Sequence, residues 1–520
     1  MLEIGMTALL FAAYLADCAV VSLYFVHMLQ LNAYRPERYL RWINENRAVM
    51  VQKLGWMLLA FVAVAAFLLR PTDWRVRGAC AALLAAHFVL SLPKKAKKPL
   101  VYTARVKRLL ATVALLAILV GAGVYLTGMV RLSVGMLFLW VVLTPFAVLL
   151  ASLINQPIET MIANRYIRDA RRRLDGAQGL ICIGVTGSYG KTSVKNFLHD
   201  LLSVKYNVLM TPESYNTTMG VVRTVRERLL PTHQIFIAEM GAKAPGDIRE
   251  ICELVRPRYG IITSIGEQHL ETFKTVENIV RTKFELADAI PPDGAVFLNV
   301  DNPYIREKGV SAPKVTYGTD PAAGADYLAG EITVDGAGSA FTVQAPGGES
   351  ARFTTRLLGA HNIQNIVGCI ALAHTLGVPL SELVLPVRRL KPVAHRLQLL
   401  PNGFIDDAYN SNPAGFRAAL DVLRGFEGQR VLVTPGMVEL GERQEELNRE
   451  LGSYAAGCCD VAVLVGEKQA PPLREGLREA GFPEDRLYVA KDLADALAYV
   501  NGLPAGKRTV LLENDLPDNF

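Results

Sequence analysis

The sequence predicts an α-helical membrane domain followed by α/β: a P-loop parallel-sheet domain, then a C-terminal Rossmann-like α/β domain. Three observations carry that prediction. Hydrophobic residues make up 51% of the 520, the mean hydropathy is +0.24, and the excess lies before about residue 155. An apolar run ending in glycines, GLICIGVTG at 179–187, leads into GSYGKTSV. Beyond it, apolar runs alternate with helical stretches to the end of the chain.

Residues 1–155 form the expected membrane domain, with five apolar spans at about 7–31, 54–70, 78–93, 109–130 and 132–154. A helix needs roughly 20 apolar residues to cross a bilayer, so the first, fourth and fifth cross readily. The second and third are short, and a re-entrant pair is the alternative, leaving four or five spans. The first lacks the basic start and the cleavage site of a signal peptide. Loops rich in Lys and Arg follow the first span (Arg35, Arg38, Arg41, Arg47, Lys53), the third (Lys94, Lys95, Lys97, Lys98, Arg105, Lys107, Arg108) and the fifth (Arg165, Arg168, Arg171, Arg172, Arg173). The other loops carry only Arg70, Arg75 and Arg77, then Arg131. The positive-inside rule therefore places the N-terminus outside and everything after 155 in the cytoplasm, on a multi-pass cell-membrane protein. Asp17, His27 and His87 are the ionisable groups within spans, and they read as isolated groups near interfaces or helix contacts. QLNAYRPERYLRWINENR, 30–47, mixes Tyr, Trp and Arg as an interfacial segment does, and a lipid-phosphate site is its second reading. An amphipathic linker at 156–178 follows.

The net charge of +6 comes largely from these clusters, and no basic–aromatic module for nucleic acid appears. The seven cysteines include no CxxC and read as buried thiols of a reducing compartment.

The central domain is expected at 179–393. After the first strand, SVKNFLHDLLSVKY at 193–206 has helical spacing, and QIFIAEMG, YGIITSIG and GAVFLNVD are further strands of a parallel sheet. Residues 312–358, with EITVDG and AFTVQAPGG, read as a small antiparallel β insertion, followed by a helix at about 361–376. LKPVAHRLQ, 390–398, is the expected hinge. The last domain, 394–520, takes its strands from GFIDDAY, RVLVTPG, VAVLVGE, RLYVA and TVLLEND.

Strand, glycine loop and helix in that order aim backbone N–H groups at an anion. Gly187 and Gly190 let the backbone approach phosphate, Lys191 reaches the β/γ oxygens and Thr192 holds Mg²⁺. The glycines stand at 184, 187 and 190, a variant TGxxGKT loop.

GVTGSYGKT resembles the nucleotide loop of the Mur ligases and the related folylpolyglutamate synthetases, which join a carboxylate to an amine with ATP. The resemblance continues in order through SYNTTMG (214–220), AEMGAKAPGDI (238–248), ITSIGEQHLETFKTVENIVRTKFEL (262–286), LLGAHNIQNIVG (357–368), AHRLQ (394–398) and IDDAYNSNPAGFRAAL (405–420). It covers about 179–515 and is nearest the branch that adds D-Ala-D-Ala to a UDP-muramoyl-tripeptide. It implies ATP and Mg²⁺, with Thr192, Glu239, His269 and, if carbamylated, Lys283 as metal ligands. It implies Lys191, Glu239, His269, Lys283, Arg396 and Asp407 as catalytic residues. It implies nucleotide contacts from Gly187, Ser188, Gly190, Lys191, Thr192, Ser193, Asn299, Asn362, Asn365, Arg396, Tyr409 and Asn410. The chemistry fits: a carboxylate becomes an acyl phosphate, and cations offset the charge that develops.

Two departures stand out. Soluble members begin with a domain that grips UDP, where this chain has apolar spans. That points to a carboxylate delivered on a cytoplasmic-leaflet lipid or a lipid-linked cell-wall precursor, with an amino acid or dipeptide as amine. The D-Ala-D-Ala-adding branch also ends in a basic Gly/Ser segment, where this chain has TVLLENDLPDNF with Glu513, Asp515 and Asp518. An acidic end repels a carboxylate and welcomes an ammonium group. VTPGMVELGE, with Pro435, replaces the usual glycine–acid turn. A γ-linked polyglutamate ligase and a membrane-bound binding protein with a non-catalytic ligase domain are the rival readings. An ATP-driven transporter would need an intramembrane path and an ABC-type signature, neither of which is seen. Oligomeric state has no signal.

Overall fold

A computed structural model describes residues 2–66, 73–92, 99–128, 130–213, 215–267, 270–335, 338–409, 411–438, 440–466, 470–504 and 506–515, with backbone alone at 65–66, 270–271 and 335. Arg70, Lys94, Lys95, Lys97, Lys98, His269, Asn410 and Asp518, all singled out above, lie outside the described residues. The chain divides into two compact units after Asn164.

The first unit is helical: α1 (Leu2–Leu31), α2 (Pro36–Glu45), α3 (Arg47–Ala66), α4 (Trp74–Leu90), α5 (Ala104–Leu126) and the start of α6 (Arg131–Gly176). Among the described residues four helices, at Leu2–Leu31, Arg47–Val64, Ala104–Leu126 and Arg131–Gly176, are long and apolar enough to cross a membrane; α4, at 17 residues, is shorter. α1 packs along α4 and α5, burying Leu10, Tyr14, Phe25 and Leu29 with Leu84 and Val113. Short α2 opens with Pro36 in its first turn, where a missing N–H costs nothing, and turns Tyr39 and Trp42 inward.

Asp17 and His87 are not isolated. His87 Nδ1 lies 2.7 and 2.8 Å from the two Asp17 oxygens, and its Nε2 lies 2.7 Å from the Lys53 carbonyl oxygen. Residues 70 positions apart meet because α1 and α4 pack together, and the pairing satisfies groups that an apolar bundle otherwise leaves costly.

The second unit holds two sheets. In the first, β1 (Ile181–Thr186), β2 (Val208–Met210), β3 (Ile235–Glu239), β4 (Tyr259–Ile262), β5 (Ala295–Asn299), β6 (Lys314–Gly318), β7 (Tyr327–Asp335), β8 (Gly338–Gln344) and β9 (Ser350–Thr355) run in the order β2-β3-β1-β4-β5-β6-β7-β8-β9. Pairing is parallel through β7 and antiparallel from β7 to β9. Residues expected as a separate β insertion thus extend the central sheet: β6 and β7 add in parallel before the meander begins. Its helices are α7 (Lys191–Leu202), α8 (Thr218–Arg228), α9 (Asp247–Val255), α10 (Leu270–Phe273), α11 (Val276–Asp288), α12 (Pro303–Arg306), α13 (Ala360–Thr375) and α14 (Leu380–Arg389). α7 buries Val194, Phe197, Leu198, Leu201 and Leu202, a helical stripe laid on β1 and β3. The last turns of α6 join this unit through buried Ala170 and the Asp169–Arg226 ion pair at 2.7 Å.

The second sheet runs β10 (Gln398–Leu399), β11 (Phe404–Asp407), β15 (Arg508–Glu513), β12 (Gln429–Thr434), β13 (Val461–Val465) and β14 (Leu487–Ala490), all parallel except β10. α15 (Pro413–Arg424), α16 (Gln444–Ala455), α17 (Ala470–Glu479) and α18 (Leu493–Gly502) flank it. In both sheets the chemistry expected from the sequence sits at the carboxyl ends of the strands, where open α/β sheets bind ligands.

Candidate active site

The loop after β1 is clamped before it can hold anything. Ser188 N–H donates to the Ser264 carbonyl at 2.6 Å, and Thr263 Oγ1 donates to the Thr186 carbonyl at 3.2 Å and to the Tyr189 carbonyl. A Cβ on Gly187 would lie 2.1 Å from Thr263 Oγ1 and 2.9 Å from the Ser264 carbonyl oxygen, at a φ of +152° that favours glycine. Gly190, at φ +78°, caps α7 with no side-chain hydrogen bond and touches Asn365. The first N–H groups of α7 are therefore left for an anion.

Lys191 Nζ donates to the carbonyls of Gly187 (2.7 Å) and Ser188 (3.0 Å), folding back over the loop. Burial lowers its pKa to about 8, Glu239 opposes that shift and Arg396 adds to it. Thr192 Oγ1 donates to Glu239 Oε1 at 3.2 Å, and Asn216 Nδ2 donates to the same oxygen at 3.1 Å. Lys195 Nζ stands 3.0 Å from Glu239 Oε2, an ion-pair contact without hydrogen-bond alignment, so Oε2 keeps its hydrogen-bonding capacity. A hydroxyl beside a carboxylate with spare oxygen capacity suits Mg²⁺, which takes one or two protein oxygens and fills its shell with phosphate and water. Among the described residues no three His, Cys, Asp or Glu side chains gather for a metal.

Lys283, on α11, is buried and hydrogen-bonds to none of the described residues; Phe273 lies 6.0 Å from its Nζ. Burial first, then the charge of Lys191, lowers its pKa to about 7. Next to it on α11, Glu285 accepts from Gly246 N (2.7 Å) and Arg249 N (2.9 Å), capping α9. The second sheet contributes Arg396, whose guanidinium carbon sits 4.2 Å from the centre of the Tyr409 ring, and whose charge reaches Lys191, Asp407 and Glu513. Asp407 Oδ1 accepts from Leu397 N at 3.1 Å, and burial raises its pKa.

Other expected residues serve the frame. Asn299 donates to the Thr263 carbonyl (2.9 Å) and accepts from Asp301 N (3.1 Å), bracing the strand ends that clamp the loop. Asn362 donates to the Leu358 carbonyl at 2.8 Å, while Asn365 is the member that reaches the loop. Ser188 Oγ donates to the Gly266 carbonyl at 3.1 Å, and Ser193 is half-buried in the first turn of α7. Glu513 is not a surface charge: it is buried at the end of β15, and Asp515 alone of the acidic end is described as exposed. Sequence reasoning passed over Lys195, Asn216 and Thr263. Lys195 carried one signal, its place one helical turn after Lys191.

A family model for the Mur ligase middle domain matches residues 185–373, and one for the Mur ligase glutamate ligase domain matches 395–512. The chain is 31% identical over 332 residues to the UDP-N-acetylmuramoyl-tripeptide–D-alanyl-D-alanine ligase of Escherichia coli, covering 61% of this chain and 73% of that one. The Bacillus subtilis enzyme of the same name is 31% identical, over 62% and 70%. Among solved structures, MurF from Acinetobacter baumannii superposes with a TM-score of 0.62 at 29% identity, covering 68% and 77%. The MurF ligase of Thermotoga maritima in complex with ADP does so with a TM-score of 0.60 at 25% identity, covering 68% and 80%.

Proposed function

The chain belongs to the Mur ligase family of ATP-dependent, amide-forming ligases, and from that premise we propose that it extends a muramoyl peptide of the cell envelope while anchored in the membrane. The observation that carries the chemistry is the Thr192–Glu239 contact at 3.2 Å beneath an uncapped helix start. The γ-phosphoryl group of ATP passes to a substrate carboxylate, an amine attacks the acyl phosphate, and phosphate leaves. Lys191 turns from its own loop carbonyls to the β/γ oxygens when nucleotide displaces them. Thr192 and Glu239 would hold Mg²⁺, which would supply charge neutralisation on the phosphates. Arg396 approaches from the second sheet, adding a cation opposite Lys191.

Burial lowers the Lys283 pKa to about 7, so near neutral pH the amine is available in its uncharged form, the form that takes up carbon dioxide. We assign it as the carbamylated lysine, which would supply an anionic oxygen ligand to a metal. Both relatives are named for a UDP-muramoyl-tripeptide and D-alanyl-D-alanine, and those are the parent chemistries of the proposed substrates. The apolar first unit supports a lipid-linked form of the acyl substrate, with the ligase unit on the cytoplasmic side. Purified protein is expected to release phosphate from ATP only when both acid and amine are present, and Lys191→Ala to abolish that release. Turnover unaffected by Lys191→Ala would sink this reading. Intact-mass measurement in bicarbonate is expected to show a gain of one carbon dioxide, lost in Lys283→Ala.

A further inference from the structure

Parallel strands place register partners side by side with their side chains on the same face. In the β11–β15 ladder the last such pair is Asp407 and Glu513, two carboxyl groups at one carboxyl edge. Glu513 is 1% exposed. Its Oε1 accepts from Ser411 Oγ at 2.6 Å, whereas Oε2 has no partner among the described residues. Backbone fixes the pair as well: Asn514 N–H donates to the Asp407 carbonyl at 3.2 Å, and Asn514 Nδ2 to the Gly436 carbonyl at 2.6 Å. With Glu513 buried and Asp407 half-buried beside it in the register, charging both is costly, so the pair holds one proton.

We propose, on the ligase reading above, that Glu513 is a positioning residue: as a neutral carboxylic acid it donates its proton through Oε2 to the Asp407 carboxylate, whose Oδ1 accepts from Leu397 N at 3.1 Å and so fixes the backbone next to Arg396. Burial first, and the adjacent Asp407 charge second, push Glu513 well above the ordinary carboxylate range. The charged groups around it are few. β11 presents Asp407 and Asp406, the latter 2.8 Å from His395, and Arg396 precedes β10. On β12, whose Val433 pairs with Leu512, the following residue is uncharged Thr434. α15 packs beneath with Phe416 and Leu420, while its Arg417, Asp421 and Arg424 form ion pairs at the surface. Asp515 follows, exposed. Glu513 therefore does not act as a fixed negative charge toward an incoming ammonium group.

The test uses the full chain in detergent. A carboxyl whose folded pKa lies above its unfolded value loses stability as pH rises between the two. Glu513→Gln keeps a donor and removes that loss. Its melting temperature relative to wild type is expected to climb with pH from about 5 upward, by about 2 °C per pH unit. A difference that stays flat overturns the shared proton. Infrared spectra are expected to show a protonated-carboxyl band at alkaline pH in wild type that is missing in Glu513→Gln. In turnover, Glu513→Gln is expected to exceed Glu513→Ala at least tenfold in kcat/KM and to lack the alkaline limb of the wild-type profile. Equal rates for the two variants, or a Gln variant changed only in the KM for amine, overturn the positioning role. If wild type shows no amine-dependent turnover, the ligase reading fails, and the melting comparison still decides where the proton is.

Discussion

Glu239 is approached by Thr192, Asn216 and Lys195, and the only full charge among them is on Lys195. Both partners of that pair are 1% exposed, so removing either leaves a buried ion alone. Lys195→Met is expected to destabilise the ligase unit by about 3 kcal/mol, measured by denaturant unfolding, because an uncompensated buried charge costs that much. A loss within experimental error would mean that solvent or a metal already compensates Glu239. Lys283 makes a second prediction. Its folded pKa, about 7, lies below its unfolded value of about 10.4, so the unfolded chain binds the extra proton between them. Stability therefore rises with pH through that window, and Lys191, at about 8, adds to the rise above its own value. Calorimetry of Lys283→Met in carbon dioxide-free buffer is expected to show a flatter rise than wild type above about pH 7. An unchanged slope removes the neutral-amine assignment. The motif read alone supplied Lys191 and Thr192. It could not supply Lys195, because a lysine on an amphipathic helix ordinarily faces water, and only the burial of β3 beneath α7 turns this one inward. Asn299 shows the opposite: an Asn ending a buried strand reads as a nucleotide contact, and in the structure its amide also braces Asp301 and Thr263, a tie only the tertiary fold reveals.

At the scale of elements, the loop works because β4's following turn closes on it. Gly187→Ala pushes a methyl into Thr263 and Ser264, so the loop must open or the strand end must shift. Calorimetric titration is expected to show ATP affinity down at least tenfold, with the far-ultraviolet spectrum retained. Gly176→Ala, whose Cβ meets nothing within 4 Å, is the control and is expected to bind ATP as wild type does. Equal affinity in the two variants would remove the clamp from the binding account. The strands that carry this loop were legible as apolar runs ending in turn residues: β1, β3, β4, β5 and all five parallel strands of the second sheet appear where those runs stand. The sheet edge was not. β6 is five residues with an exposed Lys at its start, and its parallel partner β7 is reached across a short turn, so local alternation gave strand without direction. Direction is set by the pairing of Tyr317 with Tyr327 and Gly318 with Leu328, a long-range fact.

For the whole molecule, the first unit exposes apolar side chains that water would not leave apart: Leu58, Leu59, Leu115, Ile118, Leu119, Phe146, Leu150 and Leu153 face outward from α3, α5 and α6. On a protein in water, patches of this kind drive association; in hydrocarbon they cost nothing. Charged groups inside the same unit are paired instead: Asp17 with His87, and Arg108, whose Nε lies 2.7 Å from Glu159. That division, apolar outward and paired charge inward, is the one a bilayer imposes. It predicts that the full chain sediments with membranes and is released by detergent but not by high salt. It predicts a kinetic consequence as well. A ligase held at a leaflet meets a lipid-borne acceptor at an effective concentration near the millimolar range, whereas a soluble nucleotide precursor gains nothing from the anchor. Reconstituted in vesicles, the protein is expected to use a lipid-linked muramoyl peptide with kcat/KM at least tenfold above the UDP-linked peptide, and the gap is expected to narrow when vesicles are replaced by dilute micelles. Preference for the UDP-linked form in vesicles would leave the helices as an anchor with no part in substrate choice. A gap that persists in micelles would assign the choice to direct recognition of the lipid carrier.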